Sequence, residues 1–409
     1  MLQIWIQCQR LALILLFSGF SIGCVKSASD SSETTSKCQK AKVANQYIVH
    51  WKNSKPTLVD SNHAIKIQKN QKAKVRLIEP NYRLIHAQQI TPEYFESQGP
   101  QVSRATQFFH DIIHSDAAWS QGFYGQGIRV AVVDTGVSTE HPVLRSRLNI
   151  NELELRRGPN KLDDDGNGLI DDVFGWNFVT NQSRQIDESG HGTAISGIIT
   201  GDKNNPSLGI APQAQIIPID FMNEAGGTEF HAQQALTYAL ARGAKIINNS
   251  WSTNCSELLR ESFAEWSQQN VIFVNASGNS PIDVSENDFT PSSFIAPNIV
   301  NVGSSDEHGH RSNFSGFGRT VTLYAPGEFV PVIFPSSGWD ETKSTSGTSF
   351  SAAMVSGAAA LLWNAFPQAT GPEIINLLHD GANQEPSEIK ILDIRRSMAI
   401  GQQRFPRHP

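Results

Sequence analysis

The stretch Ile128-Arg129-Val130-Ala131-Val132-Val133 is an almost continuous apolar run with glycines on both sides, at 125, 127 and 136. A short apolar run between glycines is typical of a strand that is buried on both faces. Similar runs follow at 216–221, 244–248, 271–275 and 299–302. Helical stretches lie between several of them, at 192–200, 231–242 and 255–268. This alternation predicts an α/β fold with a mainly parallel sheet and helices on both faces.

The composition excludes some classes of protein before any motif is considered. Hydrophobic residues make up 39% of the 409 residues and charged residues 18%, which favours a packed protein over a disordered chain. The net charge is −6. Because phosphate binding relies on clustered Lys and Arg, nucleic acid is not expected as a partner.

The first 24 residues predict export from the cytoplasm. A start with one positive charge precedes the apolar run Leu11–Ile22. A membrane-spanning helix needs about 20 apolar residues, so this run favours a signal peptide over residues 1–23. The segment Ser21-Ile22-Gly23-Cys24 resembles a bacterial lipobox, which implies lipid attachment at Cys24 and anchoring to a membrane of the bacterial envelope. An ordinary secretory signal and an uncleaved segment remain alternatives.

The rest of the chain divides by composition into four segments. Residues 24–42 form a flexible polar linker and residues 43–104 a small α+β unit. Residues 105–395 form the large α/β domain and residues 396–409 a tail. In the small unit, strands are expected at Tyr47–Trp51 and Lys74–Ile78, with no clear helix between them. The tail has no pattern that indicates a structure.

An acidic residue ends the first predicted strand, in Val132-Val133-Asp134-Thr135-Gly136. A carboxylate at the end of an apolar strand is poorly hydrated and needs a hydrogen-bonding partner. Taken alone, Asp134 could equally cap a turn. Asp-Thr-Gly also occurs in aspartic peptidases, but these need two such carboxylates. The sequence has no second Asp-Thr-Gly or Asp-Ser-Gly.

Two further motifs place a histidine and a serine at helix starts. Ser189-Gly190-His191-Gly192-Thr193 opens a helix with small side chains, which can pack closely while the imidazole points into a cleft. Ser349 begins a helix that runs to about Ala365, where free backbone N–H groups and the positive helix end are available. Taken alone, His191 could be a buried structural histidine and Ser349 an N-cap.

The order Asp, His, Ser in these local sequences is that of the subtilisin-type triad, and residues 105–395 resemble the subtilases, the subtilisin-like serine peptidases. The resemblance implies a serine endopeptidase that cleaves proteins or peptides through an acyl-enzyme, with no cofactor in the chemistry. Ser349 would be the nucleophile, His191 the general base and Asp134 the residue that orients His191. The resemblance also implies that Asn279 is the side-chain donor of the oxyanion hole.

The same resemblance implies where a substrate binds. Two segments are expected to bind the substrate backbone: Gly226 and Gly227, and Ser250, Trp251 and Ser252. A third segment, Ala276, Ser277 and Gly278, would form one wall of the pocket for the residue before the cleaved bond. Because they are small, a broad preference for apolar to aromatic side chains is expected.

An acidic loop lies between Asp134 and His191 and predicts a structural Ca²⁺ site. Oxygen ligands at positions 1, 3 and 5 with Gly at position 6 are the pattern that wraps a hard cation. The ligands expected here are Asp163, Asp165, Asn167, the Leu169 carbonyl and Asp172. A solvated acidic turn is the alternative interpretation. The ion would have no role in the chemistry.

The small unit at 43–104 resembles the inhibitor propeptide of the subtilases, through Tyr47-Ile48-Val49 and the segment VRLIEPNY at 75–82. The resemblance implies that this unit assists folding and blocks the cleft as an intramolecular inhibitor. Cleavage is then expected between about 85 and 118.

Two other functions are compatible with parts of the sequence. The first is a catalytically silent subtilase fold that acts as a binding protein, and the intact Asp134, His191, Asn279 and Ser349 argue against it. The second is an aspartic peptidase, which the missing second carboxylate motif disfavours.

Overall fold

The computed structural model describes residues 42–84, 108–183, 187–201, 209–223, 226–254, 256–335, 343–383 and 388–406, all of them in one compact unit. The predicted signal peptide, Cys24, almost all of the predicted linker and most of the expected cleavage region lie outside the described residues.

The described strands are, in chain order, β1 Lys42–Trp51, β2 Thr57–Val59, β3 Val75–Tyr82, β4 Arg129–Asp134, β5 Trp176–Asn177, β6 Gln215–Asp220, β7 Met222–Asn223, β8 Gly226–Gly227, β9 Ile246–Asn249, β10 Thr253–Asn254, β11 Ile272–Ala276, β12 Phe289–Thr290, β13 Ile299–Ser305, β14 Leu323–Pro326, β15 Val330–Val332 and β16 Lys343–Thr345. The described α-helices are α1 Ser61–Asn70, α2 Phe108–Ile113, α3 Asp116–Trp119, α4 Glu152–Arg157, α5 His191–Thr200, α6 Glu229–Ala241, α7 Glu257–Trp266, α8 Thr348–Ala365, α9 Gly371–Gly381 and α10 Ile394–Arg404.

A seven-stranded sheet lies at the centre, in the order β14-β13-β11-β9-β4-β6-β5, and its neighbouring strands are parallel. The predicted α/β fold with a mainly parallel sheet is thereby confirmed. The five apolar runs of the sequence form β4, β6, β9, β11 and β13. The two edge strands, β14 and β5, had no clear signal in the sequence.

Both faces of the sheet are covered, as predicted. Along β4, Val130 and Val132 pack into a core that includes side chains of α5 and α8. Ala131 and Val133 point the other way, into a core that includes side chains of α6 and α7. Successive side chains of a strand alternate between its faces, so a strand covered on both sides must be apolar throughout.

The small N-terminal unit is a three-stranded antiparallel sheet, β2-β1-β3, with helix α1. The expectation of no clear helix between its strands was wrong. Helix α1 begins after Asp60, whose Oδ1 accepts the N–H of His63 at 2.8 Å. Ala64 is the one buried residue of the helix, so the apolar periodicity that reveals most helices is weak here.

The C-terminal helix α10 crosses the boundary predicted at 395–396. Met398 and Gly401 are buried on it, and the ring of Phe405 lies 5.9 Å from that of Phe366. The packed chain therefore continues past the predicted boundary, because this helix covers apolar surface that would otherwise face water.

Candidate active site

Asp134 is the last residue of β4 and is fully buried. Its Oδ1 accepts the backbone N–H of Thr135 at 2.8 Å and faces Nδ1 of His191 at 2.7 Å. A buried carboxylate needs such donors, and His191 Nδ1 is the closest of them. The structure thus joins the first and second sequence motifs directly.

His191 is the first residue of α5, and Gly190 before it has a left-handed conformation with φ of 79°. Helix α5 lies so close to the end of β4 that a Cβ on Gly192 would stand 1.9 Å from the carbonyl oxygen of Gly136. Burial is the largest single effect and lowers the pKa of His191, but the charge of Asp134, its hydrogen bond and the charge of Asp187 together outweigh it and hold the pKa above its ordinary value. The imidazole is therefore prepared to accept a proton.

Ser349 is the second residue of α8 and is buried. Its hydroxyl donates to the carbonyl of Ser250 at 3.2 Å, and the Ser250 hydroxyl donates to the carbonyl of Ser349 at 3.1 Å. The ring of Phe350, the next residue, lies 6.0 Å from the His191 ring. The start of α8 therefore packs against the start of α5, and all three motifs meet at one end of the sheet.

Asn279 lies beyond β11, and its side chain is hydrogen-bonded to Thr348 at the start of α8. Its Oδ1 accepts both the backbone N–H and the hydroxyl of Thr348, each at 2.9 Å. The hydroxyl of Thr348 also accepts the N–H of Gly278 at 3.1 Å. Because both bonds from Thr348 are accepted by the amide oxygen, they orient the Asn279 side chain, and its NH₂ group is its hydrogen-bond donor.

The predicted substrate segments follow strands of the same sheet edge. Ser250, Trp251 and Ser252 come directly after β9 and are buried, and Ala276, Ser277 and Gly278 end or follow β11. The backbone of Gly226 and Gly227 forms β8, which pairs antiparallel with β7. Ligands bind beyond the carboxyl ends of parallel strands in such sheets, and these segments lie there.

Two buried acids beside Asp134 were not predicted from the sequence. Asp187 lies four residues before His191, and Asp220 ends β6 as Asp134 ends β4. Burial, then the charges of Asp187 and Asp134, raise the pKa of Asp220 to about 8. Burial raises the pKa of Asp187 to about 6. The signal that indicated Asp134, an acid at the end of an apolar strand, could also have found Asp220.

The acidic loop brings together only part of the predicted Ca²⁺ ligands. Carboxylate oxygens of Asp163 and Asp165 lie within 4.8 Å of one another and of Glu154, a buried residue of α4 that the loop pattern could not indicate. Asp172 instead accepts the hydroxyl of Tyr238 and pairs with Arg242.

The other two predicted ligands make hydrogen bonds within the loop. The amide NH₂ of Asn167 donates to Asp165 at 3.0 Å and to Asp172 at 3.1 Å. The Oδ1 of Asn167 accepts the backbone N–H of Leu169 at 2.7 Å.

Comparisons with known proteins show which family this chain resembles. A profile described as the subtilase family matches residues 125–394. Subtilisin DY from Bacillus licheniformis is 27% identical over 275 residues, which are 66% of this chain and 89% of that protein. Thermitase from Thermoactinomyces vulgaris is 31% identical over 278 residues, which are 66% of this chain and 83% of that protein. A crystal structure described as a cold adapted subtilisin-like serine proteinase matches with a TM-score of 0.55 and 26% identity, over 66% of this chain and 90% of that one.

The chain therefore belongs to the subtilase family. Within that family it is a subtilisin-like serine endopeptidase, a hydrolase whose substrates are proteins or peptides.

Proposed function

We propose that Asp134, His191 and Ser349 form the catalytic triad of this peptidase and that Asn279 supplies one donor of its oxyanion hole. The observation that carries the proposal is the buried 2.7 Å hydrogen bond between His191 Nδ1 and Asp134 Oδ1. It orients the imidazole and leaves Nε2 as the nitrogen that can take a proton. The ring contact between His191 and Phe350 supports the role of the adjacent Ser349.

In the proposed reaction, the Ser349 hydroxyl attacks the carbonyl carbon of the peptide bond while His191 Nε2 takes its proton. The oxyanion of the tetrahedral intermediate accepts hydrogen bonds from the Asn279 amide and the Ser349 backbone N–H. His191 then passes the proton to the leaving amine as the C–N bond breaks. Water, deprotonated by the same imidazole, hydrolyses the resulting ester and restores the serine.

Labelling by a fluorophosphonate probe tests the proposal. The processed wild-type protein should be labelled, and Ser349→Ala should not. Asn279→Ala should still fold and bind substrate but turn it over roughly 10²–10³-fold more slowly, which is the loss known for an oxyanion donor of a subtilisin, a relative of this chain. Absence of labelling in processed wild type would favour the catalytically silent binding protein.

We also propose that the unit at 43–104 is an intramolecular inhibitor. The backbone N–H of Leu84 donates to the carbonyl of Gly227 at 3.0 Å, and Arg83 forms an antiparallel bridge with Thr228. Leu84 is buried in the same apolar cluster as Trp251. The last described residues of the unit thus pair with the Gly226–Gly227 segment proposed to bind substrate, as a bound peptide would.

The rest of the inhibitor contact is mixed in character. Ile48 packs with Phe230 and Leu258 of the large domain. Arg76 forms an ion pair with Glu261, which also lies 3.2 Å from His50. Apolar packing together with paired charges supports a specific contact rather than an incidental one.

The acidic loop is proposed to bind structural Ca²⁺ through Glu154, Asp163 and Asp165. An all-oxygen, carboxylate-rich set fits a hard cation. Backbone N–H groups of Gly168, Gly166 and Asn167 donate to Asp163, and these bonds, that from Gly168 above all, hold its pKa below the ordinary value. The carboxylate therefore stays ionised, as a Ca²⁺ ligand must be.

Export and lipid attachment at Cys24 remain a proposal, motivated by the signal-like start and the lipobox-like segment. None of the helices in the described part of the chain has both the length and the apolar composition to cross a membrane. Metabolic labelling with a fatty-acid analogue tests the attachment: incorporation should be lost in Cys24→Ser. Equal incorporation in both chains would refute it, and none in either would favour an ordinary secretory signal.

A further inference from the structure

A carboxylate outside the proposed triad connects two of its members. Asp187 has 5% of its surface exposed and accepts three hydrogen bonds. Its Oδ1 accepts the hydroxyl of Thr135 and the N–H of Gly190, and its Oδ2 accepts the N–H of Thr193, each at 2.8 Å. Thr135 follows Asp134, whereas Gly190 and Thr193 flank His191. One side chain therefore holds the end of β4 and the start of α5.

The hydroxyl of Thr135 forms a second connection between the end of β4 and the start of α5. It donates to Asp187 and accepts the N–H of Gly192 at 3.1 Å. The backbone N–H of Thr135 donates to the same Asp134 oxygen that faces His191. A displacement of Asp187 would consequently move the residues on both sides of the Asp134–His191 hydrogen bond.

The charged groups around Asp187 are His191, Asp134 and Asp220. In the described part of the chain, no Lys or Arg forms an ion pair with it. Three hydrogen-bond donors, including two at the positive end of α5, replace a cationic partner. Burial raises its pKa to about 6, so Asp187 is ionised near neutral pH and accepts all three bonds.

We propose that Asp187 is a positioning residue for catalysis, which sets the geometry of the Asp134–His191 pair through Thr135 and the first turn of α5. The inference rests on the proposed triad and adds a residue that acts on it without touching substrate. Geometry of this kind matters because a displacement of about 1 Å can cost about 10²-fold in rate.

The first test does not depend on activity. In full-length Ser349→Ala protein, the proton on His191 Nδ1 should give a far-downfield NMR resonance, assigned by its absence in His191→Ala. Asp187→Ala should abolish or shift this resonance. Asp393→Ala is a matched control, because Asp393 is also 5% exposed and accepts a helix N–H, from Arg396. An unchanged resonance in Asp187→Ala would overturn the proposal.

The second test separates positioning from general destabilisation. Asp187→Ala should lower kcat about 10²-fold while KM changes less than about twofold. In a His191→Ala background the same substitution should cause no further loss, because residues that act as one unit are not additive. An equal loss in both backgrounds would contradict the proposal. If wild type proves inactive, the proposed function fails, and the resonance still decides the role of Asp187.

Discussion

Three buried aspartates lie at the site, Asp134, Asp187 and Asp220, and they differ in the hydrogen bonds that they accept. Asp134 and Asp187 accept several hydrogen bonds each. Asp220 accepts the side-chain amide of Asn177. Among the described residues, one oxygen of Asp220 (Oδ1) and one of Asp134 (Oδ2) have no hydrogen-bond partner. Burial, and then the neighbouring charges of Asp187 and Asp134, raise the pKa of Asp220 to about 8, so Asp220 keeps its proton near neutral pH.

Asp220 therefore makes stability depend on pH. Its pKa is raised from 3.8 to about 8, so the folded protein binds this proton more tightly than the unfolded chain does. The associated stability is complete below about pH 4 and is lost as pH rises towards about 8, with a slope of at most about 1.4 kcal/mol per pH unit.

Asp220→Asn in Ser349→Ala protein should remove this slope. In urea unfolding, the variant should gain stability relative to its parent between about pH 5 and pH 8, and the two curves should run parallel above about pH 9. If instead the stability difference between the variant and its parent is constant from about pH 5 to pH 8, Asp220 is ionised throughout that range and its pKa is not raised.

Helices α5 and α8 hold the proposed nucleophile and base because small residues let them approach the sheet. On α5, a Cβ at Gly192 would meet the Gly136 backbone, whereas a Cβ at Gly197 would meet the side chain of Ile333. The Gly136 carbonyl belongs to the backbone just after β4 and can move only if the chain moves, whereas a side chain can change rotamer. We therefore expect Gly192 to preserve the geometry of the site and Gly197 to preserve only the packing of the helix.

Gly192→Ala should lower kcat about 10²-fold or more, since relief of the 1.9 Å contact must displace His191 from Asp134. Gly197→Ala should leave kcat nearly unchanged and cost about 1–3 kcal/mol of stability. Steady-state kinetics and urea unfolding of both variants provide the check. Near-normal kcat in Gly192→Ala would mean that α5 can shift without disturbing the site.

The acidic loop after α4 should be stabilised by Ca²⁺. Addition of Ca²⁺ at about 100 times its Kd to chelator-treated Ser349→Ala protein should add about 2.7 kcal/mol of stability and raise Tm. Asp165→Asn should lose this increase. Asp164→Asn should keep it, because Asp164 pairs with Arg157 and lies outside the cluster. An equal increase in Asp165→Asn would exclude this site.

At the scale of the described chain, the last described residues of the small N-terminal unit pair with Gly227 and Thr228 of the larger domain, which is the contact behind the proposed inhibitor role. Leu84 anchors that contact, with 5% of its surface exposed. Ile65, on helix α1 of the same unit, is 51% exposed and faces solvent. The same substitution at these two positions therefore separates the contact from the stability of the unit.

Leu84→Asp in full-length Ser349→Ala protein should expose the small unit to trypsin at least about tenfold faster, because a carboxylate would be buried among apolar side chains. Ile65→Asp should be digested at the parental rate. Mass spectrometry of the digestion series measures both rates. Equal rates for the two variants would show that Leu84 does not hold the unit in place.

Local patterns were sufficient to predict the core strands, the helices that follow them and the positions of the three motifs, because burial on both faces forces an uninterrupted apolar strand. Where the pattern was weak, as in the mostly exposed α1 or the short β5, these elements could not be predicted. Glu154 was missed because it joins Asp163 and Asp165 only through folding, from a neighbouring helix.

By itself, the sequence determined the fold class and the chemical types available at the end of each strand. Only the tertiary structure decided which of those groups touch. Asp134 faces His191, Asp187 accepts hydrogen bonds from Thr135 and from the start of α5, and Leu84 pairs with Gly227. The physical reason is that hydrogen bonds act over about 3 Å, whereas the residues that form them lie far apart in the chain and meet only when parallel strands and helix starts are brought to one edge of the sheet.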